Sequence, residues 1–248
     1  MAHGYWDIHN HILPGVDDGS SCMEETVHML TEEYRQGVRN IIFTPHFRPG
    51  MFDIRAQDRE MVYQKVCRAV KDSFPDMKLY LGCEYHVQDR MLRDLKDRRC
   101  RMAGTGAVLL EFSARSGWNY IKESIRSVRQ AGYRPLTAHL ERYECMYKDP
   151  VRLTAELKDM GAMVQLNAGS ILGKSGRKTK KFCRTLLDHE LADIIASDAH
   201  NMDMRPVQME ECLTFITHRY GAKMRDDLFA GNVLLLLSER QGGYETDS

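Results

Sequence analysis

Short apolar runs alternate with longer stretches of helical spacing along almost the whole chain. Ile8 sits in a short first strand inside "WDIHNHILPGVDDGS" (Trp6 to Ser20). Ser21 and Glu24 form an S-x-x-E capping signal, and Met23, Val27, Leu30 and Tyr34 follow at helical spacing up to Gly37. Val38 to His46 reads as a second strand, Met61 to Val70 as a helix, and Lys78 to Glu84 as a third strand. Ala107 to Phe112 predicts a strand, Asn119 to Ala131 a helix closed by Gly132, and Arg134 to Glu141 a strand. Val151 to Met160 predicts a helix closed by Gly161, Ala162 to Asn167 a strand, Thr179 to Glu190 a helix, and Ala192 to Asp198 the seventh strand. A long helix is expected from Arg205 to Tyr220, then short helical pieces, with a tail after Arg240 that frays. Strands alternating with helices imply a parallel sheet joined by crossovers, as a barrel or an open doubly wound sheet.

With 248 residues and no linker, repeat or low-complexity stretch, one domain over residues 1–248 is expected. The hydrophobic content of 43% supports a sizeable core. Basic and acidic residues balance at 35 each, which leaves no global field for nucleic acid or an anionic membrane. The longest apolar run, Val233 to Leu237, is far too short for a membrane span, and the N-terminus has no signal-peptide core. Seven cysteines at wide spacings, with no C-x-x-C, read as reduced thiols of a cytoplasmic protein.

The polar residues change the picture. His9 and His11 end the first strand, His46 the second, Glu84 the third and Glu111 the fourth. His139 lies near the end of the fifth, and Asp198 and His200 follow the seventh. Any one of these alone is an ordinary strand terminus. Together they place metal-type ligands at one end of six strands, and in a barrel they converge on one mouth. Buried carboxylates and imidazoles gathered this way would be costly without bound cations. Other chemistries lack their motifs. No cysteine has Arg six positions on, and there is no D-x-D, no G-x-S-x-G and no Walker glycine loop.

"DIHNH", "TPH", "GCEYH", "LEFS", "AHLERY" and "ASDAHN" occur in the order of the PHP (polymerase and histidinol phosphatase) family of metal-dependent phosphoesterases. The chain resembles most the bacterial manganese-dependent protein tyrosine phosphatases of capsule and exopolysaccharide operons, from about Tyr5 to Leu237. "VDDGS", Glu in "LLEFS", "HLERY" and the Pro after "SDAHN" carry that likeness. The resemblance implies a distorted seven-stranded (β/α) TIM-like barrel and three divalent metals, most often Mn, with Fe or Zn as alternatives. It implies His9, His11, Glu84 and Asp198 on a first metal. Glu84 would bridge to a second, shared with Glu111 and His139. Asp18, His46 and His200 would hold a third, with Asp18 chosen over Asp17 by alignment alone.

The resemblance further implies a phosphotyrosine protein as substrate, expected to be the tail of a cognate bacterial tyrosine kinase. No nucleic acid and no membrane insertion are expected. Closely spaced metals would acidify a bridging water, whose hydroxide attacks phosphorus in line. Arg142 of "HLERY" is the candidate cation for the phosphoryl oxygens, against a surface salt bridge with Glu144, and Arg205 is a second candidate. Tyrosine leaves with a pKa near 10, so no general acid is assigned. Lys174 to Lys181 is a basic run on the active-site side, a solvated face or an attractor of acidic phosphopeptides. Tyr85, Phe47 and Phe52 could line a slot for an aromatic ring, and Arg48 to Asp58 could cover part of the mouth. Two other readings are a small-molecule phosphatase such as histidinol phosphatase, or a PHP nuclease, and an inactive metal-binding PHP module.

Overall fold

A computed structural model describes residues 4–52 and 54–238. The tail after Arg240, expected to fray, lies outside the described residues. The strands are β1 (Tyr5–Asp7), β2 (Val38–Phe43), β3 (His46–Phe47), β4 (Lys78–Leu81), β5 (Glu84–His86), β6 (Ala107–Glu111), β7 (Arg134–Thr137), β8 (Met163–Asn167) and β9 (Ile194–Ala196). The helices are α1 (Met23–Arg35), α2 (Ala56–Val70), α3 (Met91–Asp94), α4 (Trp118–Gln130), α5 (Pro150–Asp159), α6 (Ala168–Leu172), α7 (Arg177–Asp188), α8 (Met209–Asp226) and α9 (Asn232–Leu237).

Every strand pair is parallel. One sheet has the order β1-β2-β4, and the other, β3-β5-β6-β7-β8-β9, curls into a half-barrel. On one side the two are joined through the chain itself, the β2–β4 ladder running on into the β3–β5 ladder. The N–H of Gly82 reaches Phe43 O at 2.8 Å and that of Glu84 reaches Pro45 O at 3.2 Å. Across the opening, Asp198 N–H donates to His9 O at 2.7 Å and His11 N–H to Ala199 O at 2.8 Å. The second predicted strand is interrupted at Thr44–Pro45 and the third at Gly82–Cys83, because Pro45 has no N–H for a ladder.

The period of two decides what lies inside. Trp6, Ile8, Ile42, Leu109, Leu136, Ile194 and Ala196 meet in one small buried cluster. Their neighbours Ile41, Phe43, Val108, Leu110 and Ile195 face outward, under Leu30, Val66, Ile125 and Val128 of the helices. Burying a side chain of this kind stabilises by roughly 1.5–3 kcal/mol. Carried up the strands, the inner parity runs from Ile42 to His46, from Leu109 to Glu111 and from Ala196 to Asp198. The wall that fills the interior therefore delivers the polar residues above it.

Three local expectations need correction. Ser21 does not cap α1 with Glu24: its N–H and Oγ both donate to Glu25 Oε2 at 2.8 Å. The last long helix starts at Met209 rather than Arg205. Pro206 disfavours helical geometry at Arg205, and Asn201 Oδ1 gathers the N–H groups of Asp203, Met204 and Arg205 into a turn. The fifth strand ends at Thr137, and the chain then turns through His139 at φ +31°. All seven cysteines are free thiols. No helix of the described residues is long and apolar enough to cross a membrane.

Candidate metal centre

The backbone bonds between the end of β1 and the end of β9 set His9 and His11 beside Asp198. Nε2 of His9 lies 3.3 Å from Glu84 Oε1 and 3.5 Å from Asp198 Oδ1. Nε2 of His11 lies 3.3 Å from Glu84 Oε2 and 3.5 Å from the same Asp198 oxygen. The far nitrogen of each ring is committed elsewhere. His9 Nδ1 meets Gln165 Oε1 at 3.1 Å, His11 Nδ1 meets Asp17 Oδ2 at 2.7 Å, and His200 Nδ1 meets Asp198 O at 3.0 Å. Those oxygens can only accept, so each ring donates from Nδ1 and turns Nε2, the nitrogen a cation would take in place of a proton, to the shared space.

Asp17 and Asp18 separate cleanly. Asp17 Oδ1 accepts from Gly19 N–H at 3.0 Å, and its Oδ2 accepts from His11 and from His46 N–H at 2.9 Å. Asp18 is half-exposed, with Oδ1 3.5 Å from Nε2 of both His46 and His200. The turn packs tightly enough that a Cβ on Gly19 would stand 1.9 Å from His11 O. Asp17 therefore orients a histidine, and Asp18 faces the centre.

Among the described residues, four groups of donor atoms each fall within 4.8 Å of one another: His11, Asp18, His46 and His200; His9, His11 and Glu84; His9, His139 and Asp198; His46, Glu84 and Glu111. The expected trio of Glu84, Glu111 and His139 is not among them. His139 Nε2 approaches Glu84 Oε1 at 2.7 Å from one side. On the other, Glu111 is drawn toward its register partner on β5, His86, whose Nδ1 lies 2.9 Å from Oε2. Glu84 touches both groups.

Nε2 of His9, His11 and His200, Nδ1 of His46, Oε2 of Glu84 and Oδ1 of Asp198 are buried without a hydrogen-bond partner. So many orphaned nitrogen and oxygen donors facing one space fit divalent cations and little else. Charge agrees. Burial opposes ionisation of Glu84, yet the neighbouring His9 and His139 rings hold its carboxyl well below the usual range. Burial likewise opposes Asp198, and Arg142, His9, His11 and Arg205 overcome it. His200 is pushed down to about 2 by burial and by the charge of His11 beside it, and so stays neutral.

Arg142 and Arg205 both reach Oδ2 of Asp198, at 2.5 and 2.8 Å. Asn167 Nδ2 adds a third donor at 2.6 Å. Arg142 is thus no partner of Glu144, which lies near Arg115 at 3.8 Å instead. Its side chain remains 40% exposed, so the guanidinium is open to the mouth. His139 and Asp198 both have left-handed backbone, at φ +31° and +52°, a cost that functional sites often carry.

Phe47 stacks on Tyr85 with ring centres 5.1 Å apart, and Tyr85 is fully buried with its hydroxyl on Asp94. Both are packing residues rather than an aromatic slot. Phe52 does sit at the mouth, parallel to the His46 ring at 5.1 Å. Asp17, Gln165 and Asn167 were missing from the predicted site. Gln165 and Asn167 lie two apart on β8, on one face of the strand, which is the signal that could have found them.

The capsular polysaccharide synthesis family CpsB/CapC matches residues 5–238. The chain belongs to this family. This CpsB/CapC chain is 33% identical to the tyrosine-protein phosphatase CpsB of Streptococcus pneumoniae, over 91% of its own length and 95% of that protein's. It is 31% identical to the tyrosine-protein phosphatase YwqE of Bacillus subtilis, over 94% and 92% of the two chains. A structure described among those of YwqE and S. pneumoniae CpsB, "unique metal-dependent tyrosine phosphatases", superposes with a TM-score of 0.86 at 28% identity, covering 93% and 94% of the chains. Histidinol phosphate phosphatase from Lactococcus lactis shares the fold, with a TM-score of 0.58 at 16% identity over 88% and 94%.

Proposed function

We propose that this chain is a metal-dependent protein tyrosine phosphatase, a single PHP-type domain whose nine strand segments amount to the seven strands of a distorted barrel. The observation that carries it is the convergence of unpartnered buried imidazole and carboxylate atoms on one mouth. The named activities of relatives matched over nine-tenths of the chain give that chemistry its substrate.

His9, His11, Glu84 and Asp198 would hold one ion. Glu84, Glu111 and His139 would hold a second, and Asp18, His46 and His200 a third, with manganese favoured. Such ions would supply Lewis acidity toward the phosphoryl oxygens and the attacking water. The chain's own residues do the rest. Asp17, Gln165 and the Asp198 carbonyl accept from Nδ1–H of His11, His9 and His200, which leaves each Nε2 to face the ions. Arg142 and Arg205 stand at the mouth as guanidinium forks for a phosphoryl group, their second contact already satisfied by Asp198. A tyrosine oxygen, with a pKa near 10, leaves without a dedicated acid.

The cellular substrate is a phosphotyrosine protein, the tail of a cognate bacterial tyrosine kinase that governs capsule or exopolysaccharide synthesis, in the cytoplasm. The test compares kcat/KM of manganese-loaded protein on a phosphotyrosine peptide, a phosphoserine peptide, histidinol phosphate and single-stranded DNA. The phosphotyrosine peptide should lead. Histidinol phosphate in front would make it a small-molecule phosphatase, DNA in front a nuclease, and no turnover at full metal occupancy an inactive module.

A further inference from the structure

We propose that the cleft beside the centre is a subsite for a carboxylate side chain flanking the phosphotyrosine, with Lys174 as the cation that receives it. The proposal rests on the phosphotyrosine phosphatase reading above. The cleft has a volume of about 110 Å³, and Arg142, Asp198, Arg205, Lys174, Ser175 and Gln208 are among its lining residues. A cleft of this size admits a carboxylate on a short stem.

The turn after α6 puts Lys174 there. The N–H groups of Gly173 and Lys174 both return to Gly169 O, at 3.0 and 2.9 Å, with Gly173 at φ +99°. A Cβ on Gly169 would stand 2.3 Å from Gln208 Oε1, so this segment lies directly against the residue that precedes α8. The backbone of Lys174 is therefore held on the cleft wall while its side chain stays half-exposed.

The basic run divides by what each member touches. Lys178 Nζ sits 4.4 Å from the centre of the Tyr147 ring. The stem of Lys180 covers Gly173, its Cδ 2.8 Å from where a Cβ would be. Lys174 lines the cleft, and its contact with Glu211 is a 3.6 Å pair between two exposed side chains, which exchanges readily. In the cleft, three cations face one carboxylate. Arg142 and Arg205 are spoken for by Asp198 and, in catalysis, by the phosphoryl group. The charge on Lys174 is surplus to that reaction and open to an anionic neighbour on the peptide.

Two phosphotyrosine peptides differing only in glutamate or glutamine on both sides of the phosphotyrosine test this on the metal-loaded full chain. Wild type should show a lower KM for the glutamate peptide by about twofold to fivefold, the range of an exposed ion pair, with equal kcat. The gap should narrow as salt is raised. Lys174→Ala should raise KM for the glutamate peptide alone, Lys174→Arg should restore it, and Lys174→Glu should reverse the preference. The same KM ratio in wild type and Lys174→Ala would overturn the proposal, as would no preference in wild type. Failure to hydrolyse either peptide would instead refute the phosphatase reading on which it stands.

Discussion

The Asp17 carboxylate lies 2.7 Å from Nδ1 of His11, on the side of the ring turned away from Glu84 and Asp198. A carboxylate only accepts, so the ring is held as its Nδ1–H form and presents Nε2 to the centre. Asp17→Asn, with an amide that can also donate, should weaken manganese binding by about 10- to 100-fold. Calorimetric titration of chelator-stripped protein measures it. Unchanged affinity would leave Asp17 as a turn residue only.

The same carboxyl makes stability depend on pH. Burial alone would raise it, but His11, with the N–H groups of His46 and Gly19, pulls it from 3.8 down to about 2. Between those values the unfolded chain binds a proton that the folded chain does not. The stabilisation is therefore complete above pH 3.8 and is lost as pH falls toward 2. In metal-free protein, Asp17→Asn should cost about 2 kcal/mol at pH 6 and distinctly less at pH 3. Urea unfolding at both pH values checks this, and an equal cost at both would contradict it.

Arg142→Ala should leave bound metal unchanged, because Arg205 and Asn167 still hold Asp198 Oδ2. It should lower kcat by about 100- to 1,000-fold, as loss of one donor to a developing charge typically does. Arg142→Lys, with a point charge in place of a fork, should recover only part. Full turnover in Arg142→Ala would show that its contact with Asp198 is its whole role.

Gln165 Oε1 serves two groups at once, His9 Nδ1 at 3.1 Å and the N–H of His139 at 2.6 Å. Gln165→Leu strands both in the interior. It should lower stability by about 1–3 kcal/mol and weaken metal binding, read by thermal unfolding with elemental analysis of the same sample. A fully stable, fully loaded variant would contradict that role.

Much of this site was legible because strand parity carries it. Glu111 closes β6, His46 and Glu84 open β3 and β5 where β2 and β4 leave off, and Asp198 lies two residues past β9; the residues below them already point inward, so the period of two placed them together. His139 was found by its position near a strand end, but its approach to Glu84 depends on a left-handed turn that no periodicity encodes. Asp17 and Asp18 are equivalent in sequence, and only the course of the turn separates the orienting carboxylate from the half-exposed one. Gln165 and Asn167 were passed over because neutral amides carry no charge signal, although they link His9, His139 and Asp198. The start of α8 was misjudged because helical spacing ran on through residues that Asn201 and Pro206 hold in a turn.

Hydrolysis of a phosphotyrosine peptide by one preparation, chelator-stripped and then reloaded, tests the central claim most directly, with Glu84→Ala carried in parallel. The stripped wild-type protein should be inactive and should regain activity in step with bound manganese. Glu84→Ala should neither retain the ions nor recover. Full activity in stripped protein free of metal by elemental analysis, or full recovery of Glu84→Ala, would contradict the account.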